Sequence, residues 1–108
     1  WLFNKIRAVV HHGGCTTNGL GLRAGKPTLI MPLALDQYFY GRRVHELNAG
    51  PEPIYVRFEL PSIEKIQNSI EDLVSGKYDD GAKAASRVLI SENGCKKAGD
   101  ILENTLWQ

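Results

Sequence analysis

The chain has 108 residues, with 13 Lys and Arg against 12 Asp and Glu, for a formal net charge of +1. That length supports one small domain, and the near-neutral balance lacks the basic footprint of a nucleic-acid binder. No apolar run is long enough to span a bilayer and no signal-peptide pattern is present. Cys15 and Cys95 are isolated thiols without metal-ligand spacing or a readable disulfide framework, so a reduced, cytosolic setting is the default.

An apolar stretch, Ala8-Val9-Val10, leads into a run rich in small residues from His11 to Gly25. Lys26-Pro27 then precedes a second apolar stretch, Thr28-Leu29-Ile30-Met31-Pro32. The order reads as strand, glycine turn, helix, strand, which is one βαβ unit. Gly13 and Gly14 carry no Cβ and let the backbone approach a ligand closely. Thr16, Thr17 or Asn18 is expected to cap the helix, so that its free N–H groups and positive dipole end attract an anion. His12 at the strand tip adds a donor, which suits a diphosphate. The plain alternative is a glycine turn whose small polar residues only cap a helix.

Parallel strands joined by a right-handed crossover end on the same edge of the sheet. The second strand is followed by Leu33-Ala34-Leu35-Asp36-Gln37, which brings Asp36 to the edge that carries His12, 24 residues earlier. Open α/β sheets bind small molecules there. The carboxylate and amide of Asp36-Gln37 can accept from and donate to vicinal sugar hydroxyls. Asp36 can equally serve as the N-cap of a helix from Gln37 to about Leu47. Tyr38, Phe39 and Tyr40 are expected to pack that helix on the sheet, and His45 to lie on its surface. His11 belongs to the structural shell, since neighbouring strand residues face opposite ways.

A third strand is a candidate at Pro53–Phe58. Ser62 can cap a helix carrying Ile63, Ile66, Ile70, Leu73 and Val74 at helical spacing, with Gly76 as its stop. Asp79 or Asp80 opens another through Ala82, Ala85, Val88 and Leu89. Asn93-Gly94 breaks it, and Ala98, Ile101, Leu102 and Leu106 form a last stripe. These stripes are expected to be core. Two clear strands are few for a doubly wound sheet, and Trp1-Leu2-Phe3 stands just before a core strand. Residues 1–108 therefore read as a single partial domain of a larger enzyme.

Trp1-Leu2-Phe3, Ala8-Val9-Val10-His11-His12-Gly13-Gly14, Gly21-Leu22-Arg23-Ala24-Gly25-Lys26-Pro27-Thr28 and the run from Asp36 to Val44 resemble UDP-glycosyltransferases. The sterol glucosyltransferase branch and its lipid- or macrolide-glycosylating relatives look most similar, and Gly41-Arg42-Arg43-Val44-His45-Glu46-Leu47 with Gly50-Pro51 adds to the match. The resemblance runs from residue 1 to about residue 75. It implies an α/β fold: a partial Rossmann-like parallel sheet with flanking helices, the latter half of the C-terminal, donor-binding domain of the two-domain GT-B arrangement.

It further implies that His12, Gly13, Gly14, Cys15, Thr16, Thr17 and Asn18 hold the donor diphosphate, and that Asp36 and Gln37 hold the donor sugar. The implied activity is transfer of a hexose, glucose from UDP-glucose, to a hydroxyl of a sterol or other lipophilic acceptor. The UDP-sugar is a substrate, with no cofactor and no metal. The acceptor and the catalytic base belong to an N-terminal domain absent from these residues, so no catalytic residue falls here and the chain alone is not expected to turn over. An intact enzyme of this type is cytoplasmic, with room for peripheral membrane contact. One departure stands out: relatives read Gly-Gly-x-Gly-Thr-Thr where this chain reads Gly13-Gly14-Cys15-Thr16-Thr17-Asn18. Either Thr16 replaces a glycine, or the threonine pair has moved up one position with a compensating insertion; a Thr16 in place of a glycine with positive φ would be strained. A second enzyme-related reading is a donor-binding subunit of a split glycosyltransferase; a reading from a different class is a non-catalytic nucleotide- or phosphate-binding module.

Overall fold

The computed structural model describes residues 1–57 and 59–107. After a 3-10 turn at Phe3–Lys5 come β1 (Val9–His11), α1 (Cys15–Arg23), β2 (Thr28–Ile30) and α2 (Gln37–Glu46), then α3 (Ile63–Val74), α4 (Asp79–Ser91) and α5 (Gly94–Leu106). β1 and β2 pair in parallel, Val9 beside Thr28 and His11 beside Ile30. The expected βαβ unit is present, and both strands end on one edge.

The pleat divides the core. Ile30 points to one face, where it joins Leu22, Val44, Ala49 and Ala82 from the segments around α1, α2 and α4. Leu29 points to the other and packs with Ile54 and Leu73. This alternation follows from the two-residue period of a strand, and burial on both faces is the signature of a parallel sheet. Arg7 ties the two halves together, with two bonds to the Asp79 carboxylate (2.8 and 3.1 Å) and one to the Val74 carbonyl.

Two expectations need correction. Residues 53–57 form no strand, and Phe58 lies outside the described residues. Pro51 and Pro53 have no N–H to offer a ladder, so among the described residues the only backbone hydrogen bond from this segment to the sheet is the Ile54 amide donating to the Ile30 carbonyl at 3.0 Å. The helical stripes are also less buried than their spacing implies. Leu73 and Ala82 are core residues, whereas Ile63, Ile70, Val74 and Val88 are exposed. α5 has no buried residue, and Ala98, Ile101, Leu102 and Leu106 all face outward. Helical periodicity reports an apolar face without saying that anything covers it. The helix boundaries themselves follow local chemistry: the Ser62 hydroxyl accepts from the Lys65 amide at 3.2 Å, and the Asn93 carbonyl from the Lys96 amide at 3.0 Å.

Candidate functional site

The carboxyl edge of the sheet brings the two sequence motifs together. Gly13 has φ +98°, a left-handed conformation that favours glycine. A Cβ there would stand 2.8 Å from Ile30 Cγ2 and 3.2 Å from the Gln37 carbonyl oxygen. The glycine turn is thus pressed against the first residue of α2, and Asp36-Gln37 neighbours it directly.

Gly14 is the N-cap of α1, and no side chain caps the helix. This corrects the expectation that Thr16, Thr17 or Asn18 does so: all three are already helical. The first intrahelical bond runs from the Asn18 amide to the Gly14 carbonyl at 3.0 Å. The amides of Gly14, Cys15, Thr16 and Thr17 precede it, and among the described residues they have no acceptor. A Cβ on Gly14 would meet His12 Nε2 at 2.7 Å and Cε1 at 3.1 Å, so the His12 ring lies against this helix entry. Free N–H groups, a dipole end and an imidazole converge on one point, which suits an anion. Thr16 is helical and has no positive φ, so the strain that its replacement of a glycine would bring does not arise.

The motif residues differ in accessibility. His12, Cys15 and Thr16 are exposed and Thr17 is half-buried, but Asn18 is buried on the sheet-facing stripe of α1 beside Gly21 and Leu22. His11 takes the structural role expected of it: its Nδ1 accepts from the Gly13 amide at 3.0 Å. Burial, reinforced by the neighbouring His12, holds the His11 pKa below the ordinary histidine value, so the ring is neutral and able to accept.

Asp36 occupies the N-cap position of α2, yet its side chain makes no cap bond and is exposed. The capping alternative fails and the carboxylate stays available. Gln37 is half committed: its Oε1 accepts from the Leu33 amide (2.8 Å) and the Ala34 amide (3.0 Å), which leaves its NH2 to donate. Tyr38 stacks on Tyr55 with ring centroids 5.8 Å apart, and Tyr40 packs on the core. Phe39 is exposed, contrary to the expected packing role. His45 is a surface residue whose Nδ1 lies 3.3 Å from the Gly50 carbonyl oxygen.

Leu35, immediately before this pair, has φ +54° and is 87% exposed. Its side chain buries little, while a left-handed leucine costs about 1–2 kcal/mol. Leu35→Gly is expected to raise stability by up to about 1 kcal/mol, after the extra chain entropy of glycine is subtracted. Urea denaturation measures the change, and a loss of stability would mean that Leu35 makes contacts worth more than its strain.

No protein-family model matches the chain. Among curated proteins, it is 60% identical over 95 residues to a sterol 3-beta-glucosyltransferase of Yarrowia lipolytica, covering 87% of this chain and 6% of that protein. It is 39% identical over 106 residues to a sterol 3-beta-glucosyltransferase of Arabidopsis thaliana, covering 98% of this chain and 17% of that one. The chain is homologous to a C-terminal part of the sterol 3-beta-glucosyltransferases.

A terpene cyclase-glycosyl transferase fusion protein of Humicola fuscoatra also aligns with this sterol glucosyltransferase-like segment, at 37% identity over 98% of the segment and 9% of the fusion. The segment therefore spans less than a fifth of the length of each of these three relatives. The solved spinosyn forosaminyltransferase superimposes with a TM-score of 0.83 at 16% identity, over 99% of the segment and 28% of that chain. The kitacinnamycin glycosyltransferase gives 0.78 at 21% identity, over 94% and 26%. At such identities the likeness establishes the fold, which is that of a part of these GT-B glycosyltransferases. Two features of the site were not read from the sequence: the anchoring of the Gly13 amide by His11, and the left-handed backbone at Leu35. Neither has a sequence signal, because each depends on where the loop is pinned.

Proposed function

We propose that this chain forms the diphosphate- and sugar-binding half of a donor site in a glycosyltransferase that moves glucose from UDP-glucose to a hydroxyl of a sterol or similar lipophilic acceptor. The observation that carries the reading is the packing of Gly13 against Gln37, which sets an anion-binding helix entry beside an uncapped carboxylate and a donor amide. A bare phosphate site gains nothing from the Asp36 carboxylate, whereas a hexose attached to the diphosphate presents hydroxyls to it.

In the reaction, an acceptor oxygen bonds to the anomeric carbon as the bond from that carbon to the diphosphate breaks. The electron pair leaves on UDP. The four free amides of Gly14–Thr17 and the His12 ring stabilise that developing charge from fixed positions, the task a metal performs elsewhere. Asp36 accepts from sugar hydroxyls and the Gln37 NH2 donates to one. The acceptor pocket and the base that removes the acceptor proton come from outside this chain. No described helix is long and apolar enough to cross a membrane. A cytosolic enzyme, meeting its lipophilic acceptor at a membrane surface, belongs to the same reading.

Calorimetric titration of the chain with UDP and with UDP-glucose tests it. Asp36→Ala should leave UDP affinity unchanged and weaken UDP-glucose about tenfold or more, the worth of hydrogen bonds to a charged group. Equal effects on both ligands would instead assign Asp36 to the structure of the loop, and a folded chain that binds neither would sink the proposal.

A further inference from the structure

Two side-chain polar atoms are buried without a partner among the described residues: His11 Nε2 and Asn18 Oδ1. They are complementary. The Gly13 amide donates to His11 Nδ1, so the neutral ring carries its one proton on Nε2. Asn18 Oδ1 is an acceptor. Native proteins rarely leave either kind of group unpaired.

Elementary geometry brings the two to neighbouring levels on one face of the sheet. A Cβ on Gly21 would touch Val9 Cγ2 at 3.3 Å, so Gly21 sits over Val9. His11 lies two residues further along β1 on the same face, about 6.6 Å on. α1 runs back over the strand at about 1.5 Å per residue, so roughly four helical residues cover that span. The level of His11 is therefore that of residues 16 and 17, and the tilt of helical side chains toward the helix N-terminus brings the side chain of residue 18 to it. Asn18, three residues before Gly21 and four before Leu22, is on the buried stripe, and it is only 6% exposed.

We propose that His11 and Asn18 are a positioning pair beneath the glycine turn, in which one water accepts the His11 Nε2–H and donates to the Asn18 carbonyl. The pair keeps His11 in the tautomer whose Nδ1 anchors the Gly13 amide. Gly13 is then held from three sides: by His11 on its amide, by Ile30 behind it and by Gln37 across from it. That fixes the level of Gly14, against which His12 rests. Asn18 thus acts from within the fold and not as a direct contact to the diphosphate. The pair concerns how the turn is held, whatever binds above it, and its test needs no ligand, so its failure is distinct from failure of the proposed donor site.

The test is long-range 1H–15N spectroscopy of the histidine rings, with amide exchange, on the whole chain at pH 8. The expected result is a His11 ring protonated at Nε2 and bare at Nδ1. Asn18→Leu, similar in size but without an acceptor, should mix the tautomers and speed exchange of the Gly13 amide at least tenfold. The Leu22 amide, deeper in α1, should not change. Asn18→Thr restores an oxygen and should restore the tautomer. A proton on Nδ1 in the unaltered chain would overturn the proposal, as would an Asn18→Leu chain with unchanged His11 signals and Gly13 exchange. Should Asn18→Leu not fold, mixed tautomers in a folded Asn18→Thr chain would count against the pair equally.

Discussion

Gly14→Ala is expected to leave the fold standing and weaken UDP binding at least tenfold. The backbone at Gly14, φ −59° and ψ 136°, is open to any residue, so alanine brings no backbone strain. It is a poorer N-cap than glycine, at a cost of about 1 kcal/mol or less, which corresponds to a fall in Tm of several degrees in a domain this size. The new Cβ, however, falls 2.7 Å from His12 Nε2. His12 is exposed, so its ring is pushed out of the place it holds against Gly14 and the helix entry loses a donor. A charge-assisted hydrogen bond is worth about 1.5–3 kcal/mol, and 1.4 kcal/mol is tenfold in affinity. Circular dichroism melts and UDP calorimetry on the same sample separate the two effects. Unchanged UDP affinity in a folded variant would remove His12 from the donor site.

Gly50→Ala should have the opposite character and destabilise the fold severely. Its Cβ would overlap the Thr28 carbonyl oxygen, and would lie 2.8 Å from the carbonyl carbon and 3.0 Å from Val44 Cγ1. None of these atoms can yield cheaply. Thr28 is fully buried in β2, its amide donates to the Ala49 carbonyl at 2.9 Å, and Val44 is a core residue. Relief means moving β2 or the segment bonded to it. Core overpacking alone costs about 1–3 kcal/mol, and a collision with strand backbone adds lost hydrogen bonds. The sum is expected to exceed about 4 kcal/mol, a large share of a stability near the low end of about 5–15 kcal/mol. Urea unfolding monitored by circular dichroism measures it. A loss below about 1 kcal/mol would show that residues 49–51 shift freely and do not hold the sheet.

The contrast between these glycines marks the division between what sequence and structure each decided. Local chemistry written in the chain determined the βαβ unit, the shared edge of His12 and Asp36, and the helix start at Ser62. Strand period, crossover handedness and capping act over a few residues, so they can be read without knowing the rest. The same chemistry made the GT-B resemblance legible in the first half of the chain. Tertiary structure decided everything that depends on what lies opposite. Gly14 became the N-cap because the preceding glycine is wedged between Ile30 and Gln37, which starts α1 earlier than the threonines suggested. Asn18, polar and placed in a ligand motif, went inside because its helical position faces the sheet. Asp36 stands in a cap position without capping, and α5 carries an apolar stripe that no described residue buries. Periodicity and motif spacing specify which side chains share a face, but whether that face meets solvent, a ligand or another element is a property of the packed chain.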